Sequence, residues 1–306
     1  MSDIKRHILV TLTYFDLFNY PLTMDETHLF LPAKYNIEEF GYALRSLVIE
    51  KLIYKFEKYY TLKNDLFLVE RREKGNAKAA EMIAIAGKVG DLLIRFPYVR
   101  GIAISGSLSK NFADDDSDID LFIITAKNRL WIARTIMHCF KKLTFLFKKE
   151  HYFCMNYYID EQDLQIHEKN IYTATEVATL MPLHGEAVFE QFYLANGWTR
   201  EYLPNKCLRV ATAKPVKNSL FKKFVEWLFN NRAGNSIDGI LMSITAKRWL
   251  KKMQQKKRNN HGIIMAMDLG KHYAKPDPVN FQAKLMTSYE HKVEQVLERC
   301  ADAVAH

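Results

Sequence analysis

Two aspartates flank one apolar residue, Asp118-Ile119-Asp120, and lead straight into the apolar run Leu121-Phe122-Ile123-Ile124. In an extended strand, alternate side chains point the same way, about 7 Å apart. Asp118 and Asp120 then share one face, while Ile119 and Leu121 enter the core on the other. Two carboxylates held side by side repel, so one takes up a proton or a cation sits between them. Oxygen-only ligands of this kind suit Mg²⁺ or Mn²⁺. Upstream stands Ile104-Ser105-Gly106-Ser107, at the end of a stretch that reads as a buried strand, Val99 to Ser105. Gly106 lets a phosphate approach the backbone, and the turn's amides and the Ser107 hydroxyl offer donors. Lys110 is near enough in sequence to add positive charge. The residue types fit metal-assisted handling of a nucleotide's phosphates.

Competing motifs fail on spacing. A P-loop needs Gly-Lys-Ser/Thr after its spacer, but Gly106 is followed by Ser107-Leu108. A dinucleotide fingerprint lacks its glycines. A calcium loop started at Asp114 puts Ile119 where Gly is required and Thr125 where a bidentate Glu is required. Started at Asp116, it puts Leu121 and Lys127 in those places. His138-Cys139 and His151 with Cys154 match no zinc framework. A solvated acidic loop accounts for Asp114, Asp115 and Asp116, but not for Asp118 and Asp120 alternating with apolar residues.

What remains resembles the nucleotidyltransferase superfamily typified by DNA polymerase β. Its pattern is an apolar residue, Gly-Ser, a spacer of about ten residues, then Asp-apolar-Asp-apolar. Here that is Ile104-Ser105-Gly106-Ser107, the spacer Leu108 to Ser117, and Asp118-Ile119-Asp120-Leu121. The resemblance extends over about residues 76 to 203. It implies a Mg²⁺- or Mn²⁺-dependent enzyme that moves a nucleoside monophosphate from a nucleoside triphosphate, expected to be ATP, to an acceptor hydroxyl. Asp118 and Asp120 would be catalytic and metal-binding, and Gly106, Ser107 and Lys110 would hold the nucleotide. It also implies a third carboxylate on a later strand, read here as Phe153 to Ile159. Asn156 occupies that acid's place, where its amide oxygen can coordinate a cation but cannot act as a base. Asp160, Glu150 and Glu168 are the candidate substitutes. The rival expectation is a catalytically impaired nucleotide sensor with the N-terminal unit as its output.

The elements that must position these residues are legible as apolar periodicity. The expected fold class is α+β in three parts. Residues 1–70 read as a winged-helix-like domain, 71–203 as a nucleotidyltransferase core with a small mixed sheet flanked by helices, and 204–306 as a basic helical region. In the first part, helices are expected over Asp3 to Phe18, from a capping box at Thr23–Glu26, and after Asn36, followed by a hairpin turning at Glu57-Lys58. In the second, a helix is expected over Asn76 to Phe96, strands over Val99–Ser105 and Asp120–Thr125, and a helix capped by Asn128. A third strand follows near His151–Ile159, and Thr173–Glu176 reads as another capping box, opening helices that run to Gly197. The third part reads as helical, with a break at Lys275-Pro276-Asp277-Pro278 and a last helix over Phe281 to Val304.

The 306 residues carry a formal charge of +9, with 48% apolar and 26% charged residues. Basic residues concentrate between Lys206 and Arg258, where the acids are only Glu226 and Asp238. Such a field favours anionic partners. DNA binding by the N-terminal unit is not favoured, because its third helix opens with Glu38-Glu39 and carries only Arg45 and Lys51 as bases. The acceptor is left open between a small molecule, a protein side chain and an RNA end. No apolar run approaches the roughly 18 residues of a membrane helix, and no membrane partner is expected. The start, Met1 to Val10, lacks a signal-peptide layout, and Cys139, Cys154, Cys207 and Cys300 form no CxxC pair. The expected location is the cytoplasm.

Overall fold

In the computed structural model, three helices and a hairpin form from the first 63 residues, as their apolar spacing predicts. Residues 1–144, 154–206, 213–256, 266–276 and 281–305 are described; Glu150, His151, Cys207, Lys257 and Arg258 lie outside them. The order is α1 (Asp3–Asp16), β1 (Leu22–Thr23), α2 (Met24–Leu29), α3 (Ile37–Ile49), β2 (Tyr54–Phe56) and β3 (Tyr59–Thr61). The Thr23 hydroxyl accepts from the Glu26 amide at 3.2 Å and the Glu26 carboxylate accepts from the Thr23 amide at 2.9 Å, closing the expected capping box. Asn36 caps α3 through the Glu38 amide at 2.7 Å. Strand β1 was not expected; it pairs with β3 to give a three-stranded sheet in the order β1-β3-β2.

Next come α4 (Phe67–Leu93), β4 (Val99–Ile104), β5 (Asp120–Thr125), α5 (Leu130–Thr144) and β6 (Cys154–Asp160). Helix α4 starts earlier than Asn76, because Leu68, Val69, Arg72 and Gly75 already form a buried face ahead of the alanine-rich part. Asn128 does not cap α5. It sits in the left-handed region at φ 56° and donates its amide to Asp160 at 2.9 Å. Beyond lie α6 (Ile171–Thr179), β7 (Met181–His184), α7 (Glu186–Ala195), α8 (Thr199–Tyr202), α9 (Leu220–Phe229) and α10 (Arg232–Gln254). The chain closes with β8 (Met267–Leu269), β9 (Tyr273–Pro276) and α11 (Phe281–Ala305). Strands β7 and β8 fall where the sequence reads as helical, and β9 runs into the expected break at Lys275-Pro276.

A six-stranded mixed sheet runs β7-β4-β5-β6-β9-β8, with β5 and β6 parallel and the other neighbours antiparallel. Its two faces follow the two-residue alternation of β5. Leu121 and Ile123 join Ala79, Ala86 and Leu93 of α4 and Trp131 of α5 in one cluster. Phe122 and Ile124 join Ala174 and Val177 of α6 and Phe189 and Phe192 of α7 in another. Burial on both faces explains why β5 carries the unbroken apolar run Leu121-Phe122-Ile123-Ile124. The second cluster is continuous with the core of the N-terminal unit and with Val296 and Cys300 of α11. No described helix is long and apolar enough to cross a membrane.

Candidate active site

Gly106 and Asp120 occupy one corner. Strand β4 ends at Ile104, and the Ser105 amide donates to the Asp120 carbonyl at 3.0 Å. Gly106 then turns at φ +67°, where a side chain is strained. A Cβ at Gly106 would stand 2.6 Å from Asp120 Oδ2. The dihedral therefore calls for glycine, and the missing Cβ leaves room for the carboxylate resting on it. Ser107 follows, exposed, and opens a short 3-10 turn over Leu108–Lys110. Lys110 reaches back, its ammonium donating to the Gly106 carbonyl at 3.1 Å and to Glu176 Oε1 at 2.7 Å.

The two aspartates have different surroundings. Ile119 and Leu121 are fully buried, as alternation predicts. Asp118 is exposed just before β5, whereas Asp120, the first residue of the strand, is partly buried. Burial pushes the Asp120 carboxyl up to about 7, and the negative charges of Asp118 and Glu176 push the same way. A hydrogen bond from the Cys154 thiol opposes them, and the Lys110 charge does so more weakly. Cys154 is the β6 residue paired with Asp120. Its thiol is pushed up to about 12, first by burial and then by Asp120, so it stays protonated and donates.

Two of the three spacer acids pair with bases of α4. Asp114 pairs with Arg71 at 2.7 Å and Asp115 with Lys74 at 2.7 Å. Phe112 lies against Gly75, where a Cβ would come within 2.2 Å of its ring. Asp114 and Asp115 thus pin the acidic loop along α4, and Asp120 is the aspartate that rests against the turn.

The expected third carboxylate resolves differently. Asn156 lies in β6 at a register shift: Leu121 pairs with Met155 and Phe122 with Tyr157, leaving Asn156 as the extra residue of a bulge. Its side chain is outside the described residues. Asp160 is fully buried at the far end of the strand, opposite Thr125, where it holds the Asn128 and Gln162 amides and His272. It does not join the site. Glu168 lines a cavity with Asp120 and is ion-paired to Lys275.

Glu176 is the acid that sequence reasoning misplaced. The sequence Thr173-Ala-Thr-Glu176 fits a capping box, but α6 is capped by Asn170, whose side chain accepts from the Thr173 amide at 2.9 Å. Glu176 is thereby carried into the helix, one turn beyond Thr173, and onto the site. The usable signal was a second cap residue, Asn170, three positions ahead of Thr173.

Two cavities meet at this corner, of about 230 Å³ and about 330 Å³, and both are lined by Gly106, Tyr172, Glu176 and Phe281. The first adds Asp120, Phe122 and Tyr157. The second adds Ser107, Lys110 and Arg71, with aromatic residues of the N-terminal unit such as Phe15 and Tyr20. Among the described residues, no group of three or more His, Cys, Asp or Glu side chains is placed to hold a metal by itself. The donor set nevertheless suits one kind of cation. The negative charges beside Asp120 help to raise its proton affinity, so added positive charge is favoured there, and Mg²⁺ takes one or two carboxylates plus substrate phosphates.

No curated protein and no solved structure matches the chain. Residues 89–176, from within α4 to Glu176 itself, match the family model described as a nucleotidyltransferase domain, which supports the nucleotidyltransferase superfamily and a nucleotidyl-transfer function for this chain.

Proposed function

We propose that the chain is a Mg²⁺- or Mn²⁺-dependent nucleotidyltransferase that moves a nucleoside monophosphate, from ATP in the first instance, to an acceptor hydroxyl. The observation that carries this reading is the Asp120 carboxylate resting on the Gly106 turn. A phosphate held by that turn lies beside the carboxylate pair. Asp118 and Asp120 would hold the cation, whose charge would offset that of the triphosphate and of the departing pyrophosphate.

The chain's own residues supply the rest. The Gly106–Ser107 turn offers backbone and hydroxyl donors to phosphate oxygens. Lys110 and Arg71 border the same cavity and draw the triphosphate in. A phosphate competes with Glu176 for the Lys110 ammonium, so nucleotide binding releases that carboxylate. Glu176 then accepts the proton of the acceptor hydroxyl. The acceptor oxygen forms its bond to the α-phosphorus as the bond to the pyrophosphate oxygen breaks. Positioning and charge do most of the work.

The order α1-β1-α2-α3-β2-β3 supports a winged-helix-like N-terminal unit. Its place in the protein is beside the turn: the Tyr20 hydroxyl donates to the Lys110 carbonyl. That link favours a second reading, in which the site senses nucleotide and the N-terminal unit responds. One experiment separates the two. The protein is incubated with Mg²⁺, ATP labelled at the α-phosphate and a cell extract, beside an Asp118→Asn/Asp120→Asn variant. Label transferred by the parent alone supports the enzyme; nucleotide bound without transfer supports the sensor.

A further inference from the structure

Helix α9 is built inside out. Its charged residues Lys222 and Glu226 face the body of the protein. Lys222 is 1% exposed and donates to the Ile94 and Val99 carbonyls at 3.0 and 2.7 Å. Glu226 takes the Arg100 guanidinium at 2.8 Å and the Tyr98 amide at 2.7 Å. With Val225 buried between them, these anchors fix the helix's rotation. The opposite face then shows Leu220, Phe221, Phe224, Trp227 and Leu228 to solvent, with Trp227 76% exposed. They recur at helical spacing and form one stripe.

Charge says what covers it. Between residues 213 and 256 the only acids are Glu226 and Asp238. The first is spent on Arg100 and the second is buried against the Ile132 amide at 2.9 Å. Exposed bases remain on the same helices: Lys223 on α9, and Lys247, Arg248 and Lys251 on α10, which also exposes Ile240, Ile244 and Leu250. An aromatic and aliphatic stripe with basic neighbours, on two helices whose own two acids are both engaged elsewhere, fits an anionic bilayer surface. Two copies of the stripe would bring like charges together, which disfavours self-association.

We infer that the α9–α10 face docks on membranes rich in anionic phospholipid, with Phe224 and Trp227 entering the headgroup region. No described helix is long and apolar enough to span a membrane, so this is attachment to a surface. The inference is independent of the nucleotidyl-transfer reading.

The test is co-sedimentation of the full chain with vesicles of phosphatidylcholine, alone or mixed with phosphatidylglycerol. Binding to the anionic vesicles should exceed binding to the neutral ones by about tenfold or more and weaken with salt. Trp227 fluorescence should shift to the blue. Phe224→Ser/Trp227→Ser, at exposed positions, should keep the parent's far-ultraviolet circular dichroism and lose vesicle binding. Lys247→Glu/Lys251→Glu should lose the preference for anionic lipid. No binding by the parent, or equal binding by the Phe224→Ser/Trp227→Ser variant, overturns the inference. So does a stripe-dependent dimer in light scattering without lipid.

Discussion

Asp120 concentrates the conflict between folding and chemistry. It opens a buried strand, yet the proposed function needs its carboxyl ionised to hold a cation. Burial and the neighbouring charges of Asp118 and Glu176 raise its proton affinity to about 7. A carboxyl whose folded value lies above its unfolded one stabilises the fold below the unfolded value, and that contribution is lost as pH rises through the folded one. Without metal, Asp120 therefore weighs on the fold most above about pH 7. Asp120→Asn cannot ionise, so it should raise the melting temperature of metal-free protein more at about pH 8 than at about pH 5, while abolishing transfer. A gain independent of pH would contradict this account of the corner. Glu176→Gln tests the proposed base. It should lower kcat by roughly 10²-fold or more without weakening nucleotide binding. A changed nucleotide affinity with unchanged kcat would instead make Glu176 only a partner of Lys110.

At the scale of elements, the corner is held by the junction of α4 with the N-terminal unit. Arg72 is 3% exposed. Its guanidinium donates to the Pro21 carbonyl at 2.7 Å and to Glu26 at 2.7 Å, and lies 3.7 Å from the Tyr20 ring centroid. Tyr20 in turn reaches the Lys110 carbonyl in the turn that follows Gly106. Arg72→Ala leaves these acceptors unpaired and should lower stability by about 3 kcal/mol in chemical denaturation. It should also raise the KM for nucleotide, because the turn loses its backing. Elements like these were legible in sequence where local signals suffice. The apolar run of β5, the alanine-rich face of α4 and the caps at Thr23 and Asn36 are all such signals. Strands β7, β8 and β9 were not. Each is three or four residues long; β7 and β9 acquire their identity by pairing with strands distant in sequence, and β8 only as the hairpin partner of β9. Glu176 was hidden for a related reason. Two overlapping caps were available at the start of α6, and the choice places the acid at the helix entrance or over the site. The Gly106 turn and Asp118-Ile119-Asp120 needed no such decision, since each is fixed by its own short stretch.

At the scale of the whole molecule, residues from all parts of the chain meet at one corner. The turn after β4 and the first residue of β5 meet α6 from the sheet's helical cover. Phe281 at the start of α11 lines both cavities, and the same helix packs Tyr289 edge-on against Tyr14 of α1, with ring centroids 5.6 Å apart. Lys292 of α11 also pairs with Asp16 of α1. The active corner is thus walled by the N-terminal unit, the sheet and the last helix together, which makes the N-terminal unit part of the site's frame. We propose above all that Asp118 and Asp120 hold a divalent cation against a triphosphate seated on Gly106. Equilibrium binding of a non-hydrolysable ATP analogue, with and without Mg²⁺, tests it most directly. The parent should bind about tenfold more tightly, or better, when Mg²⁺ is present, and Asp118→Asn/Asp120→Asn should show no such gain. Equal affinity with and without the metal in the parent, or the same gain in the variant, would contradict it.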